Sequence, residues 1–365
     1  MPNGARIFVL LVAALLLADT ASALPRFAAR TGAKCQSCHV NPTGGGLRQN
    51  YGFNYGREEL PVPTWSEDFG FEDALSPVLM NILQVGADLR TLYYWQDDPS
   101  GSSNAFWQMQ GDLYLNLRLG KKVSIYLDKG LYSGFEAFGL LNILPANGHV
   151  KVGKFTPGYG VKIDDHRLTT RTATGFSPET GRPERTGIEV GVAPGAFSVL
   201  GGVYNSTDGF GISSSKKSFL GRVDGLFEVG GDVHLGLGAN VFTRESDAGK
   251  KTLLYGGQGM LGFGDLAVVG EIDLIKDDSS GVETSGLAWF TEFNYVVVQG
   301  VDLKVILDYY DPDIDRQSGS MMRYSFGFEF FPFPGVELRP LYRVVTEKPA
   351  SVKNDEFQLL LHLYL

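Results

Sequence analysis

The sequence predicts an all-β fold: an outer-membrane antiparallel β-barrel of about sixteen strands, preceded by a small N-terminal segment for one c-type haem. Three observations predict it. Stretches of alternating apolar and polar residues recur from about Met80 to the last residue. Short turns alternate with longer polar loops. The 2 cysteines of the chain fall in one Cys-x-x-Cys-His motif.

The opening residues predict a leader. Arg6 gives a positive start, Ile7 to Ala18 an apolar run, and Ala21-Ser22-Ala23 a small-residue cleavage site. Residues 1–23 are therefore read as a signal peptide, with an exported protein starting near Leu24. Residues 24–78 form the haem segment and 79–365 the barrel. The 365 residues carry a net charge of -9 with no basic run, which argues against nucleic acid as a partner. The 47 glycines with 12% aromatic content suit short strands and tight turns.

The motif reads Cys35-Gln36-Ser37-Cys38-His39. Two cysteines at this spacing can each form a thioether to one haem vinyl group, and the next histidine is then placed as proximal iron ligand. A structural zinc site would need two more ligands, and Leu24 to Leu75 holds no other Cys or His. A thioredoxin-like pair would need a βαβ pattern, which is missing. A plain disulfide leaves His39 without a role. No Met occurs between Cys38 and Met80, so a sixth ligand must come from elsewhere in the chain. The candidates are His149, His166, His234 and His362, with Met80 and Met109 as fallbacks. Strand parity points Met109 outward and puts Met80 near the rim.

The strands follow from period-two patterning. Leu113, Leu115, Leu117 and Leu119 share one face, opposite Asp112, Tyr114, Asn116 and Arg118. Val301, Leu303, Val305, Leu307 and Tyr309 stand opposite Asp302, Lys304 and Asp308. Short turns at Gly120-Lys121, Pro194-Gly195, Gly230-Gly231, Gly264-Asp265 and Gln299-Gly300 alternate with loops such as Asn205 to Lys217 and Asp311 to Ser320. The last residues alternate to the end, with Phe357, Leu359, Leu361 and Leu363 on one face, as a closing strand requires. Aromatic clusters at strand ends, such as Tyr93-Tyr94-Trp95, fit interfacial girdles. Parity sends His149, Lys151, His234 and His362 into the lumen.

The loop from Gly158 to Thr186 is the longest in the barrel, and its mixed charge predicts folding into the lumen. Asp88, Asp112, Glu136, Glu271, Asp273, Glu292 and Asp302 give the inner wall an acidic character that draws in cations.

This layout of leader, single haem motif, glycine-rich stretch and barrel resembles the fused monohaem cytochrome–porins, best known as outer-membrane iron oxidases of iron-oxidising bacteria. Pro25-Arg26-Phe27-Ala28-Ala29-Arg30-Thr31-Gly32 before the motif is similar to that family. Asn41-Pro42-Thr43-Gly44-Gly45-Gly46 and Tyr51-Gly52 after it depart from the iron oxidases' own pattern. The resemblance implies one covalent haem c held by Cys35, Cys38 and His39. It also implies an electron carrier between an extracellular metal ion or other redox donor, with Fe(II) as the candidate, and a periplasmic cytochrome or similar carrier. The alternative reading is a porin for small solutes whose haem segment hangs in the periplasm as gate or sensor.

Overall fold

The computed structural model describes residues 26–68, 77–80, 82–131, 134–206, 215–316 and 319–365. The expected leader, residues 1–23, lies outside the described residues.

Alternation at period two produces sixteen long strands. They are β1 (Leu83–Gln96), β2 (Ser103–Arg118), β3 (Val123–Gly130), β4 (Phe135–Leu144), β5 (Gly148–Phe155), β6 (Arg185–Val192), β7 (Phe197–Asn205) and β8 (Lys217–Gly230). The second half comprises β9 (Val233–Glu245), β10 (Lys251–Phe263), β11 (Leu266–Ser279), β12 (Val282–Val298), β13 (Val301–Asp311), β14 (Met321–Phe330), β15 (Val336–Glu347) and β16 (Glu356–Tyr364). Each pairs antiparallel with its neighbours in sequence, and the two-residue strand Val78–Leu79 adds to β1. β16 pairs with β1 from Glu356↔Gln96 to Tyr364↔Asp88, which closes the barrel and leaves no edge among the long strands.

The two faces of the wall divide as expected. Leu113, Leu115, Val152, Ile188, Leu237, Ile272 and Leu303 are exposed on the outside. An exposed apolar band of this extent is foreign to a soluble surface, and a closed barrel is the form in which strands cross a bilayer. The inner face carries the core, in two apolar clusters set among polar groups.

The N-terminal segment lies inside the barrel. Helix α1 (Arg26–Thr31) packs on β9, β10 and β11, burying Ala28 and Ala29. After α2 (Cys35–Cys38) and α3 (Asn50–Asn54), the chain runs through a π-helical turn, Tyr55–Glu59, to α4 (Pro63–Asp68). Backbone and side-chain bonds tie the segment to the short-turn end: Lys34 Nζ donates to Ala193 O (3.4 Å), Gln299 Nε2 to Glu58 O (2.8 Å) and Val62 N to Phe331 O (3.0 Å). Arginines tie it to the wall. Arg26 pairs with Glu329 (3.0 Å), Arg30 with Asp302 (2.9 Å) and Arg48 with Asp88 (3.3 Å). The acidic wall therefore meets cations carried by the chain itself.

The long loop between β5 and β6 folds inward from the other end, as its mixed charge predicts. Its helix α5 (Thr169–Thr174) packs against β11, β12 and β13. Arg339 pairs with Asp164 (2.6 Å) and Arg343 with Asp165 (2.7 Å). Burial pushes the Asp165 carboxyl up, but Arg343, Arg339 and Arg323 override it and hold the group well below the usual carboxylate range. A carboxyl depressed in the folded state stabilises it above the unfolded pKa of about 3.9, and that contribution is lost as acid protonates it. The loop is therefore expected to stay protected from protease down to about pH 4 and to become cleavable only below it. Release between neutral pH and that point, in a proteolysis series, would show that these ion pairs do not hold it.

Candidate functional site

The chain around Cys35 is shaped by local hydrogen bonding. One helical turn puts Cys35 and Cys38, three residues apart, on one face, and His39 follows as its C-cap in extended backbone. Asn41 to Gly46 then reverse the chain, so that Val40 N donates to Leu47 O (3.0 Å) and His39 bridges Arg48. Gly44, Gly45 and Gly46 take φ values of 86°, 77° and 65°, a left-handed run that glycine adopts without strain. Gln49 holds the turn from beside it, donating from Nε2 to Gln36 O (2.8 Å) and His39 O (2.9 Å). Gly52 lets α3 lie on α2, because a Cβ there would strike the Cys38 carbonyl oxygen.

Neither cysteine is in a disulfide, and with His39 they line a lumen cavity of about 410 Å³. His39 Nδ1 lies 3.3 Å from Gly46 O, and since a carbonyl only accepts, Nδ1 carries the proton and the lone pair is left on Nε2. A ring nitrogen donating to a backbone carbonyl is the arrangement that orients a metal-bound histidine. Burial, followed by the Arg48 cation, pushes the His39 imidazole down to about 4, which keeps it in the neutral form that ligates. Burial, then Cys35, pushes the Cys38 thiol up to about 11, opposite to the depressed thiolate of a thiol–disulfide catalyst.

A covalent haem fits these residues. The cavity lies within the roughly 300–1,000 Å³ range of cofactor sites. Its wall also holds Arg90, Lys162 and Arg171, for which no ion pair is found among the described residues. Arg90 Nε is buried without a hydrogen-bond partner. Lys162 donates to Gly44 O (3.0 Å), and burial pushes its pKa down to about 8. Cations left outside close ion pairs in this way suit the two carboxylates that a haem carries.

The other ligand candidates are spread apart. His149 is buried on the inner wall beside a separate cavity of about 60 Å³ near the short turns. His234 packs on the Gly32 backbone, with Nδ1 buried and unpartnered. His362 borders the large cavity, but its two ring nitrogens contact Glu337 (2.9 Å) and Asp88 (2.8 Å). His166 borders the same cavity, with no hydrogen bond to its ring among the described residues. Met80 stands 79% exposed near the rim. Met109 corrects the expectation of outward parity. β1 and β2 slip by one residue between Arg90 and Thr91, which leaves Met109 as a bulge, and it borders the cavity instead.

Comparison with known proteins shows what the architecture shares. OmpT, an outer membrane protein of Vibrio cholerae, superposes with a TM-score of 0.59 at 12% identity, over 78% of this chain and 97% of that one. An anion-selective porin from Comamonas acidovorans gives 0.59 at 14% identity, over 78% and 99%. The outer membrane channel DcaP of Acinetobacter baumannii gives 0.57 at 8% identity, over 79% and 99%. The fold is that of the outer-membrane porin barrels. No family model matches the sequence, and no curated protein matches it.

Arg48, Gln49, Arg90 and Lys162 were not legible as site residues. Arg48 and Gln49 follow the glycine run, a turn signal that places the next residues back beside His39. Arg90 and Lys162 reach the cavity only through tertiary structure.

Proposed function

We propose that this chain is an outer-membrane electron carrier, with one haem c bonded to Cys35 and Cys38 inside the barrel and His39 as proximal ligand. The observation that carries the reading is the position of the Cys35–His39 turn. It lines a lumen cavity whose wall also includes Pro178, Pro183 and Glu184 from the long-loop end. The apolar band of such a barrel is about 25 Å tall, and electron tunnelling falls steeply over that distance. A carrier seated within the lumen shortens the gap from both sides. When bound, the haem supplies a one-electron couple at that point.

The chain's own residues do the rest. Arg48, Gln49 and the Gly44–Gly46 run hold the turn, and Arg90, Lys162 and Arg171 receive anionic groups. Residues 26–68 and the inward loop fill space through which solute would otherwise pass. Fe(II) is the extracellular donor that the resemblance to cytochrome–porins suggests, and a periplasmic cytochrome is the acceptor. An impermeant reductant added to intact cells is expected to reduce the haem of this protein. Haem that responds only after the outer membrane is broken would sink the conduit reading.

A second reading, a porin for small solutes, is favoured by the solved barrels named above, which include an anion-selective porin and a channel. The same purified protein decides between them in a planar bilayer. Steady open-pore conductance supports the porin, and a closed barrel supports the carrier.

A further inference from the structure

We propose that His166, on the long loop between β5 and β6, is the sixth ligand of the iron whose fifth is His39. This deepens the haem reading and depends on it.

Three observations converge on His166. It shares the large cavity with Cys35, Cys38 and His39, although the two histidines stand 127 positions apart in sequence. Its ring makes no hydrogen bond among the described residues, while its backbone is fixed: Ser177 Oγ donates to His166 O (2.7 Å). The residues before and after it are pinned as well, Asp165 by Arg343 (2.7 Å) and Arg167 by Glu356 (3.0 Å). A rigidly mounted imidazole bordering a cavity in this way has a ring lone pair that meets no donor among the described residues.

The groups facing His166 are consistent with a neutral ligand. Burial, then the Arg90 cation, pushes its pKa down to about 4, with Arg171 acting in the same direction and Asp165 and Asp164 opposing. The other histidines are less available. His362 is engaged by two carboxylates, and His149 and His234 do not border the large cavity. Met109 borders it, but a thioether leaves no unmet polar valence when it stands unligated.

The ligand comes from the loop that enters from the long-loop end, whereas His39 comes from the segment tied to the short turns. The two axial bonds would then join the two inserted pieces of chain through one metal.

The test uses the full-length protein, purified in detergent with its haem, with folding checked by heat-modifiable gel migration. The wild-type iron is expected to be six-coordinate and low-spin. His166→Ala is expected to turn it high-spin while the haem stays covalently bound, and added imidazole to restore the low-spin spectrum. His166→Met is expected to stay six-coordinate with a raised reduction potential, as thioether replaces imidazole. Low-spin iron in His166→Ala without added imidazole would overturn the assignment. So would high-spin iron in the wild type, or in Met109→Leu, His149→Ala, His234→Ala or His362→Ala. A wild-type chain that carries no covalent haem would instead defeat the underlying haem reading, and a haem stain of the denatured chain tells the two failures apart.

Discussion

A Cys35→Ala/Cys38→Ala double variant is expected to lose all covalently bound haem, where the proposed function expects one per chain of the wild type. After denaturation and electrophoresis, haem staining of the variant should be absent at equal protein loading. The thioethers are the bonds that survive denaturation, so the loss is complete rather than graded. The barrel should nonetheless form. Its wall is made by pairing between β1 and β16, and residues 26–34 dock through Arg26, Arg30 and Lys34 without the cysteines. Heat-modifiable migration checks that half of the expectation. Haem stain retained in the double variant would mean that attachment does not occur at this motif.

The second large effect concerns a buried charge. Lys151 on β5 pairs with Glu189 on β6 at 2.5 Å, both side chains at 0% exposure. The same ammonium also lies 3.2 Å from Asn41 Oδ1 and 4.1 Å from the Phe155 ring centre. Lys151→Met keeps the packing volume but leaves Glu189 buried without its nearest counter-ion. Removing one partner of a buried pair costs about 3–5 kcal/mol. Urea unfolding of the detergent-solubilised variant should show a loss of that size, and Lys151→Met/Glu189→Gln should recover part of it. A single variant within about 0.5 kcal/mol of wild type, the scatter of neutral surface changes, would mean that water reaches this pair.

The wall was legible in the sequence because a barrel strand has one simple signature. Leu113, Leu115 and Leu117 outside with Tyr114 and Asn116 inside is a period of two, and nothing tertiary has to be known to read it. The helical turn that brings Cys35, Cys38 and His39 together is equally local, since five consecutive residues make it. Parity failed at Met109 because a bulge adds one unpaired residue, and a single-residue shift sends every following side chain to the other face. The interior charge pattern was half legible. Asp88, Glu292 and Asp302 read as an acidic wall that attracts cations. Their partners Arg48, Arg26 and Arg30 lie 40, 266 and 272 residues away in sequence, and no local pattern links them. The inward loop was legible from its length and mixed charge, but which carboxylate meets which arginine was not.

The interlocking of those ion pairs has an energetic consequence for the space they enclose. Arg26, Lys304 and Arg339 are each shared among the carboxylates Asp164, Glu292, Glu329 and Glu337, all with little access to water. Charges held this way cannot swing to follow a new charge as loose solvent dipoles do. A unit of charge arriving in the lumen therefore meets surroundings already set, and little work goes into rearranging them. A stiff polar lining of this kind keeps the reorganisation energy low for a charge that arrives within it.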